Sequence, residues 1–349
     1  MSTDISQRKT DHIELAAKGD VAFREKTTLF EQVRLVHDAL PDVHADDIDT
    51  RFTVFGKPLR APLFIAAMTG GTDRAGALNQ QLARIAQERG IGFGLGSQRA
   101  MVVDAQRAAT FRVREAAPDA VILGNVGVVQ AREMSTDALD AMVRGVGADA
   151  LCVHLNPAME IVQPGGDRDF RAGTATIARL VNELSVPVVV KETGCGLSAS
   201  IGRRLREIGV AHVDVSGAGG TSWVAVETHR VEGDAKALGE AFWDWGIPTA
   251  ASVALLHDKG FDTIIATGGV ATGLDVAKAL VLGASACGIA RPILQALLAG
   301  GPAGAHKMLD RIEAELRAAM LLVGARTLPE LATVPRLLGP DLRAWTQLS

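Results

Sequence analysis

The sequence predicts an α/β fold, a (β/α)8 TIM barrel with an N-terminal arm and a β-hairpin before the first strand. Three observations carry this. Eight short apolar runs recur, at 63–67, 91–95, 121–125, 150–154, 187–191, 211–215, 263–267 and 285–289. They are apolar throughout rather than alternating, as in a parallel sheet buried on both faces. Most intervals between them carry helical periodicity, and eight strand–helix units over about 230 residues match a barrel in count and size. A doubly wound open sheet is the alternative, weakened because no G-x-G-x-x-G follows the first run.

Composition sets the class. The chain has 349 residues, 48% hydrophobic and 22% charged, with a formal net charge of −4. That is ordinary for a globular protein, and nothing in it points to nucleic acid or a membrane surface. Cys152, Cys195 and Cys287 lie in or beside apolar runs without metal-ligand spacing, and read as buried reduced thiols. The first residues lack an apolar signal core and no apolar run is long enough to span a bilayer, so a cytoplasmic protein is expected. Tyrosine is absent, which removes it as an acid or base.

Taken in order, residues 1–30 are polar and include the basic cluster Arg8, Lys9 and His12. They read either as a solvated arm or as one that folds over an anionic ligand. Residues 51–60 read as a hairpin with Thr53, Phe55 and Leu59 at apolar or β-branched positions and Gly56-Lys57 at the turn. Helices are expected at 74–89, 173–185, 198–209, 249–259 and 272–283. The interval 216–262 is too long for one crossover and predicts a loop excursion on the catalytic face. Helices near 305–323 and 328–333 close the chain.

In a barrel the C-terminal strand ends converge. They carry Met68-Thr69-Gly70-Gly71, Gly96-Ser97-Gln98-Arg99, Asn125, the polar loop His154 to Asp169, Lys191-Glu192, Ser216 to Ser222 with Glu227 further on, Thr267-Gly268-Gly269 and Ala290-Arg291. So many polar groups mark an active face. Gly268-Gly269 and the segment Gly288 to Arg291 each open a helix, a pattern suited to phosphate through backbone N–H groups and helix N-termini. Lys191 at the barrel mouth suits a Schiff base, a charge set against an electron-rich cofactor, or an ion pair with an acid such as Glu192. No H-E-x-x-H, C-x-x-C or G-x-S-x-G occurs, so zinc hydrolysis and a serine triad lack support.

These pieces resemble one family, type 2 (FMN-dependent) isopentenyl diphosphate delta-isomerase. The matches are Arg8-Lys9-x-x-His12-Ile13, Met68-Thr-Gly-Gly71, Gly96-Ser-Gln-Arg99, Asn125-x-Gly127, His154-Leu-Asn156, Glu160-x-x-Gln163-Pro164, Gly166-Asp-Arg168, Lys191-Glu192-x-Gly194, Gly217-Ala-Gly-Gly-Thr-Ser-Trp223 and Gly268-Gly269-x-x-Thr272-Gly273. They run in family order over nearly the whole chain.

The resemblance implies interconversion of isopentenyl and dimethylallyl diphosphate, by proton addition and removal assisted by reduced FMN, in isoprenoid biosynthesis. NAD(P)H would be the reductant. Residues 1–60 would form an arm and hairpin capping the barrel, and 61–349 the FMN-binding domain. Thr69, Ser97, Asn125, Lys191, Ser216, Thr221, Gly268, Gly269, Ala290 and Arg291 would hold the cofactor. Arg8, Lys9, His12, Arg99, His154, Asn156 and Gln163 would receive the substrate diphosphate, with Glu160 on Mg²⁺. A homo-oligomer, tetramer or octamer, is implied.

Two positions depart from the family. Gly165 stands where glutamate is common, and Met159 stands where the family carries the glutamine linked to proton transfer; a thioether donates no proton. The expected catalytic set is therefore Lys191, Glu227 and Met159 itself, with Glu227 and water as a rerouted relay. The alternative is a divergent relative using FMN for another proton transfer or cyclisation on an isoprenoid. A 2-hydroxy-acid oxidase shares the Gly-Gly-x-x-Thr-Gly segment but needs tyrosines and a late His-Gly pair, both missing here. A flavin-binding regulator is the non-enzyme reading.

Overall fold

The computed structural model describes residues 11–17 and 19–348. Eight parallel strands close into a barrel: β1 (Leu63–Ile65), β2 (Gly92–Gly94), β3 (Ile122–Gly127), β4 (Ala150–Leu155), β5 (Val188–Glu192), β6 (His212–Asp214), β7 (Thr263–Thr267) and β8 (Ala286–Ile289). Each pairs with its chain neighbour, and Cys287 to Ile289 of β8 pair back onto β1. Nearly every strand residue is buried. Helices cover the outer face, and the barrel packs its own interior, so the runs are apolar throughout.

The crossover helices fall where the periodicity puts them: Asp73–Arg89, Gly173–Glu183, Ala199–Glu207, Thr249–His257 and Gly273–Val281. Their caps explain the boundaries. Thr72 accepts from the Ala75 N–H at the start of the first, and Gly90 ends it at a φ of 64°, the left-handed conformation glycine adopts at least cost. The long interval after β6 holds two short helices, Trp223–Thr228 and Gly233–Ala241.

The hairpin strands Phe52–Val54 and Lys57–Leu59 plug the N-terminal end of the barrel. Val54 and Leu59 pack on Phe64, Leu123, Cys152, Val189, Ile265 and Ala286, and Thr53 points outward. The turn is Phe55-Gly56, with φ values of 50° and 74°, one residue earlier than expected. Lys57 Nζ lies 2.8 Å from Asp149, whose other oxygen pairs with Arg114 at 2.7 Å. With this end filled, a ligand enters from the other.

The helix expected to open after β8 runs on into the one expected near 305–323, as Arg291–Leu322, broken at Gly301 (φ 61°, ψ −162°) ahead of Pro302. The Gly-Gly-Pro at 300–302 hides its first part from periodicity. Val33–Leu35 also pairs antiparallel with Arg336–Leu338, tying the segment after the arm to the C-terminal region. Among the described residues no helix is long and apolar enough to cross a membrane.

Candidate active site

Alternation along the strands selects what faces the barrel mouth. Leu123, Cys152, Val189 and Ile265 fill the lower interior. Two residues further on, Asn125, His154, Lys191 and Thr267 face the same interior at the open end and line a cavity of about 400 Å³. Among the described residues three permanent cations, Arg99, Lys191 and Arg291, line it against one carboxylate, Glu160. The cavity therefore favours an anion despite the chain's net negative charge.

The floor is an ion pair. Lys191 and Asp214 are register partners on adjacent strands, with Nζ 2.7 Å from Oδ2 and both side chains buried. Asp214 Oδ1 also accepts the Ser216 N–H at 3.1 Å, holding that residue at a φ of 37°. Lys191 thus pairs with Asp214. Glu192 points to the opposite face and accepts backbone N–H groups of Thr193, at 2.6 Å, and of Cys195. Burial pushes its carboxyl up to about 7 against those hydrogen bonds. Burial also raises all three thiols, Cys152 to about 12, which leaves no ready thiolate nucleophile.

Beside this floor, Gln98 and Asn125 set the His154 ring. Fully buried Gln98 accepts the Asn125 N–H at 2.8 Å. Asn125 Nδ2 donates to the Leu95 carbonyl at 3.0 Å, leaving Oδ1 2.7 Å from His154 Nδ1. Since Oδ1 can only accept, Nδ1 carries the proton.

The wall is the loop after β4. Glu160 is buried and accepts from Asn156 Nδ2 (2.8 Å), Gln163 Nε2 (3.2 Å) and the Asp167 N–H (2.7 Å). The Arg168 guanidinium gathers the carbonyls of Glu160 and Ile161, fixing the loop. Asp167 bonds Gln130 at 2.7 Å and lies 3.8 Å from Arg99. Met159 lines the cavity next to Glu160.

The glycine cradle closes the far side. Gly268 and Gly269 have φ values of 107° and 74°, and a Cβ at Gly268 would collide with the Gly217 backbone. Thr267 Oγ1 and Arg291 Nε are buried without a hydrogen-bond partner among the described residues. The helix after Gly269 does not offer its N-terminus, contrary to expectation. Thr272 and Asp275 form a capping box, and Glu315 accepts the Gly273 N–H at 2.7 Å. Side chains take the donors an anion would need. The start of the helix at Arg291 has no side-chain cap, and Gly268, Gly269, Ala290 and Arg291 line the cavity there.

Two further residues sit elsewhere than expected. Thr69 lines a smaller adjoining cavity of about 60 Å³, with its buried Oγ1 unpartnered among the described residues. Glu227 does not line the main cavity. It is fully buried behind His12, 2.7 Å from His12 Nε2 and 2.5 Å from Arg230. Burial opposes its charge, but His12 and Arg230 more than offset this and hold its carboxyl below the usual glutamate range. Glu227 therefore reaches the cavity through His12, which lines it. Arg8 and Lys9 fall outside the described residues.

Ser97, Arg99, Asn156, Gln163, Ser216, Thr221, Ala290 and His12 do line the main cavity. His12 sits on a helical segment, residues 11–17, its ring edge-on to Trp223 at 5.3 Å. Gln98, Asp214, Trp223 and Gln295 were assigned no role from sequence. For Asp214 the signal existed: it is the inward residue that parallel register sets against Lys191.

The chain matches the FMN-dependent dehydrogenase family over residues 1–159 and 156–335. It is 43% identical to the isopentenyl-diphosphate delta-isomerase of Methanothermobacter thermautotrophicus, covering 98% of this chain and 95% of that protein. The Halobacterium salinarum protein of the same name is 44% identical, covering 99% and 97%. Among solved structures, a lactate oxidase of Pediococcus acidilactici superposes with a TM-score of 0.70 at 16% identity, over 97% of this chain and 94% of that one. A mandelate oxidase does so with 0.64 at 19%, over 97% and 98%. At these identities the two structures show a shared fold.

Proposed function

Because this chain belongs to the FMN-dependent isopentenyl-diphosphate delta-isomerase family, we propose that it interconverts isopentenyl and dimethylallyl diphosphate. The observation that carries this is a single cavity joining a glycine cradle, a lysine floor and a wall of diphosphate-type donors.

The residues fit FMN. About 400 Å³ is within the range of cofactor pockets. The orphaned Thr267 Oγ1 and Arg291 Nε sit at the end where glycines let an anion approach the backbone. In this reading Gly268, Gly269, Ala290 and Arg291 hold the phosphate, Ser216 and Thr221 the ribityl chain, and Thr69, Ser97 and Asn125 the ring. Lys191 sets its charge beside the ring, aimed by Asp214. Reduced FMN supplies the acid–base group of the isomerisation, and NAD(P)H is the proposed reductant.

His12, Arg99, His154, Asn156 and Gln163, joined by Arg8 and Lys9, are proposed to bind the diphosphate. Glu160 is the proposed Mg²⁺ ligand. Among the described residues no cluster of three or more His, Cys, Asp or Glu is arranged to hold a metal. One carboxylate suits Mg²⁺, which commonly takes its other ligands from substrate phosphates and water. Glu227 acts by orienting His12. Trp223 and Met159 give the isoprenyl group an apolar wall that excludes water.

Met159 favours the second reading, a relative that performs another proton transfer or cyclisation on an isoprenoid. Incubation with isopentenyl diphosphate, reduced FMN and Mg²⁺ in D₂O separates the two. Deuterium entering both diphosphates supports the isomerase, and its absence overturns it. A cytoplasmic homo-oligomer, tetramer or octamer, without membrane or nucleic-acid partners, completes the proposal.

A further inference from the structure

Arg291 faces two ways. It opens the helix after β8, and its Nη2 donates to the Gly19 carbonyl at 2.7 Å. One turn along, Gln295 Nε2 donates to the Ala17 carbonyl at 2.9 Å. The Ala17 carbonyl is the last of the arm helix at residues 11–17, where backbone acceptors lack helical partners and a cation is favoured, and the Gly19 carbonyl lies two residues beyond it. The Arg291 Nε, by contrast, is buried without a partner among the described residues. Arg291 also lines both the main cavity and the smaller one beneath the arm. One rigid, planar group therefore bonds the arm on one side and keeps a desolvated donor on the other.

We propose that Arg291 couples the cofactor phosphate to docking of the arm. This rests on the FMN reading above. A phosphate that takes up the Nε–H fixes the guanidinium plane, so holding the Gly19 carbonyl costs less ordering, and a docked arm favours the phosphate in return. The arm carries His12 to the cavity mouth, so cofactor occupancy prepares the substrate end of the site. Arg291 is a positioning residue in this second role.

Hydrogen exchange of the 11–22 segment tests the coupling in the apoprotein, with saturating FMN, and with saturating riboflavin, which lacks the phosphate. FMN is expected to slow exchange in the arm by at least about fivefold, the lower end of ordinary couplings. Riboflavin is expected to leave it near the apoprotein rate. In Arg291→Gln the arm exchanges fast whether or not FMN is bound. In Gln295→Ala it exchanges faster overall but keeps the difference between FMN and riboflavin. Equal slowing by both flavins, or FMN-dependent slowing that survives in Arg291→Gln, would overturn the coupling while leaving the cofactor reading intact. Failure of the wild-type protein to bind FMN by flavin fluorescence would overturn both.

Discussion

Lys191 Nζ and Asp214 Oδ2 meet at 2.7 Å at the floor of the cavity, held there by the register of two adjacent barrel strands. Removing one partner leaves the other charge buried and unpaired, which typically costs about 3–5 kcal/mol. Asp214→Asn is therefore expected to lower stability by roughly that amount in urea titration and to weaken FMN retention. The pair Lys191→Met with Asp214→Leu is expected to regain most of the stability while still losing flavin, since apolar replacements of buried pairs are often neutral or stabilising. Equal losses in the single and double variants would contradict the assignment.

Glu192 gives a pH signature. Its carboxyl rises from an ordinary 4.5 to about 7 through burial, despite the N–H groups of Cys195 and Thr193. The folded state holds this proton where the unfolded state has lost it. Stability from this group is thus complete below about 4.5, falls as pH rises towards 7, and is level above. A shift of that size corresponds to about 3 kcal/mol. Glu192→Gln cannot ionise, so its stability relative to wild type is expected to rise between pH 4.5 and pH 8. Parallel stability curves over that window would count against it.

Gly268 is expected to tolerate no side chain. Its φ of 107° is a region L-residues avoid, and a Cβ would meet the Gly217 backbone. Gly268→Ala should lose FMN affinity by at least about tenfold, corresponding to roughly 1.4 kcal/mol. Fluorescence titration reads the affinity, and circular dichroism checks that the barrel is retained.

Glu160→Gln removes the one carboxylate that lines the cavity among the described residues. The Mg²⁺ concentration for half-maximal turnover is expected to rise by at least about tenfold, equivalent to about 1.4 kcal/mol, with flavin content unchanged. An unaltered Mg²⁺ dependence would remove Glu160 from the metal site.

The barrel was legible because each strand is buried on both faces, which leaves unbroken apolar runs in the sequence. Pairing of Val33–Leu35 with Arg336–Leu338 was not, since partners so far apart in the chain leave no local trace. Within the site, residues on strand ends were legible through position: Asn125, His154 and Lys191 line the cavity as expected. Loop residues have no such parity. Glu227 read as facing the reaction and instead backs His12. One of the three readings of Lys191 paired it with Glu192, adjacent in sequence, yet neighbours on a strand point to opposite faces, and Asp214 across the ladder takes that place. The cap on the helix at Gly273 was half legible: Thr272-x-x-Asp275 is a capping-box spacing, but Glu315 arrives from a distant helix.

We propose that this cavity isomerises a prenyl diphosphate with Met159 in place. The direct test is deuterium incorporation from D₂O with isopentenyl diphosphate, reduced FMN and Mg²⁺, run on wild type beside Met159→Gln. Wild type is expected to form dimethylallyl diphosphate and to label both isomers, with the variant equal or faster. FMN-loaded wild type that neither converts nor labels either diphosphate would contradict it.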